Sequence, residues 1–467
     1  MLIKFSIENY KSIYDKLELD FRIKVNEANK KEIEKNPFVL KINGDYISKL
    51  CLFYGHNGSG KTNIFEALFY LCLCNHKNSL LRLLYKPNGI YGGDKESKFE
   101  IKFYSNKLNN SNEYFLFEYK IWIKNKDIED NLTKKNIQVT YEILQKGEDI
   151  IFERKNNKLI YNIVTNDNEI MIPSDRTVLS FFRSIHTKED EYFNNIINYF
   201  KLFELLPSAT PSLKSLSNSD FIGEFSNRIY NKLDSLKILD FYIDLIKIAD
   251  VGIDNMTFET KENDKKPLIN SYNSLERDGN RKELSEDKKD ELKLLLKVIK
   301  RQIEDNSFPP NRKQIFTYRN KWKKPFEDVE SDGTKMYASH MFNIVIALKE
   351  GRLSLHDEFY GVQSDLIKTA FLLFAKNRYL HEEIEQTSQL FMTTHDLELM
   401  NFKYLLLEQI KFVVKDENKT YVYSASDIEG LNKNNLVECY RENKLGAKYF
   451  PRAYDIPVIM SKDTKGK

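Results

Sequence analysis

The residues best suited to chemistry form one glycine-rich segment, Gly55-His56-Asn57-Gly58-Ser59-Gly60-Lys61-Thr62. This phosphate loop has the spacing G-x-x-x-x-G-K-[ST], in which backbone N–H groups surround phosphate oxygens, the lysine neutralises them and the hydroxyl holds Mg²⁺. An apolar run at 50–54 precedes it and a mostly apolar run at 63–74 follows, so we expect a buried strand, a loop and a helix whose N-terminus points at the phosphates. A glycine-rich turn without a ligand is the alternative. The flanking runs favour a site for a nucleoside triphosphate.

An acidic pair supplies the second candidate, at the end of Leu353-Ser354-Leu355-His356-Asp357-Glu358. Nucleotide hydrolysis at a phosphate loop needs an acid that holds Mg²⁺ and a residue that orients the attacking water. We therefore expect Asp357 to share the metal with Thr62, and Glu358 to act as the general base. Ser354 and His356 make this apolar stretch more polar than is usual.

A histidine supplies the third candidate, at the tip of the apolar stretch Leu390-Phe391-Met392-Thr393-Thr394-His395-Asp396. Taken alone, such a histidine more often has a structural role than a catalytic one. The order of phosphate loop, acidic pair and histidine along the chain favours a hydrogen bond from His395 to the γ-phosphate. The expected catalytic residues are therefore Lys61, Glu358 and His395.

Hydrophobic periodicity indicates the elements that must position these residues. Alternation in residues 1–10 predicts an edge-type strand, and β-rich runs at 99–104, 114–123, 139–144 and 150–154 predict an antiparallel subdomain. Between 186 and 310 the spacing of apolar residues becomes helical. From 315 onward α/β character returns, with strands expected at 409–414 and 420–423.

Composition limits the classes of partner. The 467 residues include 72 basic and 69 acidic side chains, a net charge of +3, so contact with nucleic acid would need a local patch. The 4 cysteines form no C-x-x-C pair and are expected to be reduced core thiols. The longest apolar run, 67–74, is too short for a bilayer, and no signal peptide precedes it. We expect a soluble, cytoplasmic protein without a membrane partner.

The order of these motifs resembles the ABC-type ATPase heads of the SMC/RecF class. It is more closely similar to the stand-alone AAA-family ATPases of bacterial phage-defence and abortive-infection modules, relatives of the overcoming-lysogenization-defect family. The matching segments are residues 3–12 (first strand and turn), Glu330-Ser331-Asp332-Gly333-Thr334-Lys335 (signature segment), 351–358 (acidic strand), and 424–428 with 445–447 (C-terminal tail). Residues 186–310 match only in general character.

The resemblance implies an α/β fold, a P-loop NTPase of the ABC-type ATPase head with an antiparallel β subdomain and an inserted helical arm. Residues 1–185 would hold the phosphate loop and the β subdomain, and 186–310 the arm. Residues 311–467 would carry the signature segment, the acidic strand and the switch histidine.

The resemblance also implies ATP and Mg²⁺ as cofactors and a head-to-tail dimer that encloses ATP. Ser331 and Gly333 of one subunit would contact the γ-phosphate bound by Lys61 of the other, since they begin a helical stretch whose dipole favours an anion. A simply capped helix explains these residues equally well. Two departures from the family are His356 in place of an aliphatic residue, and residues 359–364 in place of a serine-leucine-histidine turn. The first predicts slow or gated hydrolysis, and the second departs from the family pattern at the turn that would contact the other subunit across the dimer.

Two functions follow from the resemblance. The first is an ATP-driven sensor and scaffold of an anti-phage system, a homodimer or higher oligomer that controls a separate nuclease or toxin in response to a phage-encoded trigger. The second is a DNA-clamping repair ATPase, for which Lys293, Lys297, Lys300 and Arg301 could form a basic patch, although such a run is more often a solvated helix face. An AAA+ ring remodeller is a weaker third alternative, because the signature segment has no role in it.

Some relatives carry a C-terminal metal-dependent nuclease domain. Only 72 residues follow His395 (467 − 395), and the expected strands occupy them. Any effector chemistry is therefore expected in a separate protein, with a compact nuclease inside 186–310 left as an alternative.

Overall fold

The described residues fold into a mixed α/β structure with four sheets. The computed structural model describes residues 1–75, 81–93, 95–104, 114–125, 137–162, 170–185, 229–248, 252–262, 272–273, 275–277, 296, 300, 311–320, 322–359, 361–375 and 387–447. The strands are β1 Leu2–Glu8, β2 Leu17–Asp20, β3 Val39–Ile42, β4 Asp45–Ser48, β5 Leu50–Tyr54, β6 Ser97–Tyr104, β7 Leu116–Asn125, β8 Ile137–Lys146, β9 Asp149–Lys155, β10 Lys158–Asn162, β11 Asn255–Glu262, β12 Asn311–Arg319, β13 Trp322–Pro325, β14 Leu353–Asp357, β15 Gln389–Thr394, β16 Ile410–Asp416 and β17 Lys419–Ser424. The helices are α1 Lys30–Lys35, α2 Lys61–Cys74, α3 Leu81–Leu84, α4 Val178–Ile185, α5 Leu239–Ile248, α6 Phe326–Val329, α7 Asp332–Glu350, α8 Ser364–Leu372 and α9 Leu436–Arg441.

A five-stranded sheet of order β14-β15-β5-β16-β17 carries the phosphate loop. The pairs β14–β15, β15–β5 and β5–β16 are parallel, and only β16–β17 is antiparallel. The carboxyl ends of β14, β15 and β5 therefore lie at one edge of the sheet, where ligands bind in open α/β sheets. Asp357 ends β14 and Glu358 follows it, His395 follows β15, and the phosphate loop follows β5. The sheet order itself therefore brings the candidate residues together.

Both faces of β5 are covered, as the uninterrupted apolar run predicts. Cys51 and Phe53 pack into one core with α2 and the antiparallel sheet. Leu50, Leu52 and Tyr54 point the other way, into a second core with α5, α7 and α8. The phosphate loop is thus anchored on a strand that is buried on each side. Cys51, Cys72 and Cys74 are buried free thiols, and Cys439 is partly buried.

A seven-stranded antiparallel sheet, of order β10-β9-β8-β7-β6-β1-β2, confirms the β-rich character of residues 99–154. The expectation that the first strand lies at an edge is wrong, because β1 pairs with β2 on one side and with β6 on the other. Its polar residues reflect an outward face instead. On that face Lys4 forms an ion pair with Glu18 of β2, and Glu8 forms one with Lys98 of β6. Such pairs are typical of a sheet with one exposed face.

The segment 186–310, expected to be helical, also contains a strand. The structure describes helical residues at 229–235 and in α5, but β11 then pairs antiparallel with β12 along its whole length, from Asn255↔Tyr318 to Glu262↔Asn311. The correction has a physical reason, since a long-range strand partner decides the state of a short polar run such as NMTFETKE. The boundaries at 185/186 and 310/311 stay a prediction.

Helix α7 is unusual in being buried on nearly all sides, with residues from Tyr337 to Leu348 inside the second core. Ser331 caps its N-terminus by accepting from the Thr334 N–H, and Gly351 ends it with a left-handed φ of 66°. The chain then turns directly into β14. The helix that follows the signature segment is therefore packed against the strand that carries the acidic pair. Across the described ranges, no helix combines the length and the apolar character needed to cross a bilayer.

Candidate functional site

The phosphate loop has the tight backbone that its glycines allow. Gly58 and Gly60 have φ values of 81° and 108°, a left-handed region that favours glycine. A Cβ on Gly60 would lie 2.3 Å from Thr420 Oγ1, and one on Gly55 would lie 2.2 Å from the carbonyl oxygen of Val413. The loop thus lies against β16 and β17. Contact requires glycine at position 55, conformation favours it at position 58, and both apply to Gly60.

Lys61 begins α2 and turns its ammonium group back over the loop. Its Nζ donates to the carbonyl oxygens of Gly55 at 2.7 Å and His56 at 3.3 Å, and lies 3.1 Å from Nε2 of His395. Burial lowers the pKa of Lys61, while the carboxylates of Glu358 and Asp357 act in the opposite direction. The Lys61 ammonium group is held against the loop by these carbonyl oxygens, a position suited to neutralising phosphate oxygens.

Thr62 and Asp357 meet as the metal hypothesis requires. The Thr62 hydroxyl donates to Asp357 Oδ2 at 2.8 Å. Thr393, at the neighbouring position of β15, donates to the other carboxylate oxygen at 2.7 Å. The carboxylate is thereby fixed in direction by a hydroxyl on each side. Sequence reasoning quoted Thr393 but gave it no role, although a threonine opposite Asp357 follows once β14 and β15 are known to pair.

Glu358 and His395 form the third contact. Oε1 of Glu358 lies 3.1 Å from Nε2 of His395, the same nitrogen that lies 3.1 Å from Lys61 Nζ. The Glu358 side chain is 17% exposed and that of His395 39%, so both border the solvent side of the loop. Glu358 also has a φ of 66°, which is rare and strained for a residue with a side chain.

A hydroxyl cluster behind the loop was missed by sequence reasoning. The Thr420 hydroxyl donates to the carbonyl oxygen of Ser59 at 2.8 Å and lies 2.7 Å from Ser12 Oγ, which accepts from Asn63 Nδ2 at 2.7 Å. Ser12 follows β1 and Thr420 lies on β17. Three distant segments are thus joined directly beneath Gly60, and only the pairing of strands could have shown it.

Tyr10 and Lys11 follow β1 near the nucleotide site, and Tyr10 belongs to the core. Its ring is fully buried against Phe99, so it is not a surface for the base. Lys11 instead reaches Glu66 on α2, one turn beyond Thr62. Burial, with a smaller contribution from Lys86, lowers the pKa of Lys11 to about 8. Lys11 therefore stays a candidate at the rim of the site.

The signature segment contacts its own helix and the turn after the acidic pair. The hydrogen bonds of the Ser331 side chain go to Thr334, inside α7. A Cβ on Gly333 would lie 2.5 Å from the carbonyl oxygen of Gly361, in the turn after the acidic pair. Ser331 and Asp332 are exposed. The segment is thus a helix N-terminus open to solvent, attached by close backbone contact to the turn that follows Glu358.

The residues present fit a nucleotide with a divalent cation. Thr62 Oγ1 and Asp357 Oδ2 are hard oxygen ligands at the end of the loop, which suit Mg²⁺, and Gly58 and Gly60 allow the positive φ values that the loop adopts. His56, Asn57 and Ser59 complete the loop; Ser59 is fully buried, and the His56 ring lies 2.8 Å from the Asn57 carbonyl oxygen.

Lys293, Lys297 and Arg301, considered for nucleic acid, lie outside the described residues.

Comparison with known proteins finds a distant likeness in structure and none in sequence. No protein-family model matches the chain, and no curated protein matches its sequence. Among solved structures the chain is similar to the SMC head domain from Thermotoga maritima, with a TM-score of 0.35 and 10% sequence identity; the match covers 91% of this chain and 98% of that chain. We therefore assign the site from its geometry and not from this likeness.

Proposed function

We propose that the chain is an ATPase that binds ATP and Mg²⁺ at the phosphate loop and hydrolyses ATP there. The observation that carries the proposal is the convergence of five side chains from α2 and from the carboxyl ends of the neighbouring parallel strands β14 and β15. Lys61, His395 and Glu358 are linked by two separations of 3.1 Å, and Thr62 and Asp357 by one of 2.8 Å. Positioning and electrostatic stabilisation account for most of phosphoryl-transfer catalysis, and these residues supply both.

Each residue has a role that its position supports. Lys61 and the loop N–H groups bind the β- and γ-phosphates, and Thr62 and Asp357 hold Mg²⁺, which would neutralise developing charge on the phosphate oxygens. Glu358 accepts a proton from the attacking water. His395 lies between the base and the lysine, where its imidazole can donate to the γ-phosphate and orient Glu358.

A second subunit would complete the site. Ser331 and Gly333 stand at the exposed N-terminus of α7, which is 19 residues long and directs its dipole at an anion outside its own chain. We propose a head-to-tail homodimer in which this N-terminus contacts the γ-phosphate bound by the partner. ATP would then favour the closed dimer, because the bound nucleotide would contact both surfaces.

The task coupled to ATP is proposed from the motif resemblance: control of a separate nuclease or toxin in an anti-phage system. One observation favours the DNA-clamping alternative. The β12–β13 hairpin, a few residues before the signature segment, presents Trp322 at 73% exposure, followed by the exposed Lys323 and Lys324. Exposed aromatics beside lysines are typical of single-stranded nucleic-acid binding.

The test is the native mass of Glu358→Gln protein isolated from its own host, with and without ATP, alongside the ATPase rate of the wild type. Removal of the base should preserve binding and trap the ATP-bound dimer. Lys61→Ala should bind no nucleotide, and Lys16→Ala, which removes an exposed lysine paired with Glu100, should behave as wild type.

The outcomes separate the proposals. An ATP-dependent dimer that carries a second polypeptide supports effector control. A dimer that carries nucleic acid, with binding that falls steeply with salt and is lost in Trp322→Ala, supports the clamp. A wild type that does not hydrolyse ATP, or nucleotide retained by Lys61→Ala, would overturn the ATPase assignment itself.

A further inference from the structure

A buried histidine pair lies beneath the acidic pair. His356 precedes Asp357 on β14, His340 lies on α7, and both are at most 1% exposed. Their Nδ1 atoms are 2.8 Å apart, and Ser354 Oγ lies 2.7 Å from Nε2 of His356. A polar contact inside an otherwise apolar core therefore joins the helix of the signature segment to the strand of the acidic pair.

His340 has a second contact on the far side of the acidic pair. Its ring stacks on Phe359 with centroids 3.9 Å apart and planes 16° from parallel. Phe359 is itself buried, 7% exposed. One side chain of α7 thus contacts both residues that flank Asp357-Glu358, by a hydrogen bond before the pair and by ring stacking after it. We call this arrangement the His340 clamp.

The clamp spans a strained piece of backbone. Glu358 has a φ of 66°, a conformation that persists only where the surroundings hold it. Hydrogen bonds from Thr62 and Thr393 fix the side chain of Asp357. The contacts of His340 with His356 and Phe359 hold the backbone before and after Asp357-Glu358. The direction of the Glu358 carboxylate toward His395 therefore depends on α7.

An unpaired ring nitrogen of His340 indicates which nitrogens of the two histidines carry hydrogen. His340 Nε2 is buried and has no hydrogen-bond partner among the residues that the structure describes. An unpaired buried N–H is rarer than an unpaired acceptor, so His340 carries its hydrogen on Nδ1 and donates to His356 Nδ1. His356 then carries its hydrogen on Nε2 and donates to Ser354. Burial lowers the pKa of His340 to about 3, so the ring is neutral.

We propose that His340 is a positioning residue, which holds Glu358 in its catalytic direction and links it to the helix of the signature segment. The inference rests on the proposed ATPase function and adds a residue that touches neither nucleotide nor metal. A shift of α7 when the signature segment meets a second subunit would reach Glu358 through this clamp. Hydrolysis would then respond to dimer closure.

The test compares His340→Leu, which removes both contacts at similar bulk, with the matched control Tyr337→Phe, a buried aromatic one turn earlier on α7. Misplacing a catalytic group by about 1 Å can cost roughly 100-fold in rate, so we expect kcat to fall about 10- to 100-fold in His340→Leu while KM for ATP changes less than about threefold. His340→Asn, which keeps an N–H donor, should recover part of kcat. Tyr337→Phe should retain wild-type kcat.

A crystal structure of His340→Leu gives a readout that does not depend on hydrolysis. We expect Glu358 to leave the left-handed region and its carboxylate to separate from His395. A folded His340→Leu variant with unchanged kcat, or with the Glu358 geometry intact, would overturn the positioning role while leaving the ATPase proposal standing. A wild type without ATPase activity would overturn the ATPase proposal, and the variant structure would still decide the role of His340.

Discussion

The Thr62 hydroxyl donates a 2.8 Å hydrogen bond to the Asp357 carboxylate, although the two residues are 295 positions apart. The contact depends on the sheet order, because β15 lies between the strands that lead to these residues. A slip of one residue in β14 would turn every side chain to the opposite face and place His356 where Asp357 now lies. The hydrogen bond therefore reports the register of the whole parallel sheet.

Asp357→Asn tests the metal assignment. The amide can still accept a hydrogen bond from Thr62, but it lacks the charge that a divalent cation needs, so we expect ATPase activity to fall at least about 100-fold while ATP binding without metal persists. Mn²⁺ binding to the ATP complex, measured by electron paramagnetic resonance, checks the cause. Asp365→Asn, an exposed acid on α8, is the control. Unchanged Mn²⁺ affinity in Asp357→Asn would remove Asp357 from the metal site.

Gly60→Ala tests the packing of the phosphate loop. The new Cβ would meet Thr420 Oγ1 at 2.3 Å and Ser12 Oγ at 2.9 Å, at a φ of 108°, so the loop must move away from β17. We expect nucleotide binding to be lost and the protein to be destabilised by about 1–3 kcal/mol. Gly58→Ala is the matched control, because its φ is also positive but a Cβ there meets nothing within 4 Å. Calorimetric titration with ATP and thermal unfolding measure the two effects. Equal ATP affinities in both variants would contradict the crowding argument.

The local parts of the site could be predicted from the sequence, and its long-range parts could not. The spacing from Gly55 to Thr62 specifies a loop because a single short segment supplies every requirement. Asp357 and His395 were also recognisable, since each follows an apolar strand. Thr393, Ser12 and Thr420 carry no such signal. Their roles arise from strand pairing across hundreds of residues, which depends on packing and not on local spacing.

The same distinction explains the two corrections to the fold. The first strand looks edge-like because Lys4 and Glu8 face outward, yet both neighbouring positions are filled by β2 and β6. The run 255–262 has no strong strand signal of its own, and β12 provides its partner. His340 is the clearest case, since the role proposed for it depends on its contacts with His356 and Phe359, which no local spacing indicates.

Mixed dimers test whether the signature segment acts across subunits. Lys61→Ala and Ser331→Arg should each be inactive alone, the first because it binds no ATP and the second because it blocks the γ-phosphate of its partner. Random pairing of equal amounts makes half of the dimers mixed, each with one intact site, so about a quarter of wild-type activity should return. Hydrolysis is measured before and after mixing. No recovery, despite mixed dimers detected by native mass spectrometry, would place Ser331 outside the partner's site.

The antiparallel sheet holds a buried ion pair that should make stability depend on pH. Glu142 and Arg154 are both fully buried, with Nη1 and Oε2 3.5 Å apart. The Glu142 carboxylate also accepts from the Tyr119 hydroxyl at 2.9 Å and from the Val178 N–H at 2.9 Å. Burial outweighs these partners and raises the pKa of Glu142 from 4.5 to about 7. The folded chain therefore binds a proton that the unfolded chain releases between these values.

The sign of the effect follows from proton linkage. Because the folded state binds more protons than the unfolded state between pH 4.5 and about 7, stability falls as the pH rises through this window, by ~3 kcal/mol for a shift of this size. Glu142→Gln cannot titrate, so we expect its thermal midpoint to change less than that of the wild type between pH 5 and pH 8. Glu18→Gln, at an exposed pair with Lys4, should retain the wild-type pH dependence. Parallel profiles for wild type and Glu142→Gln would show that Glu142 stays charged throughout, and that Arg154 and the two hydrogen bonds outweigh its burial.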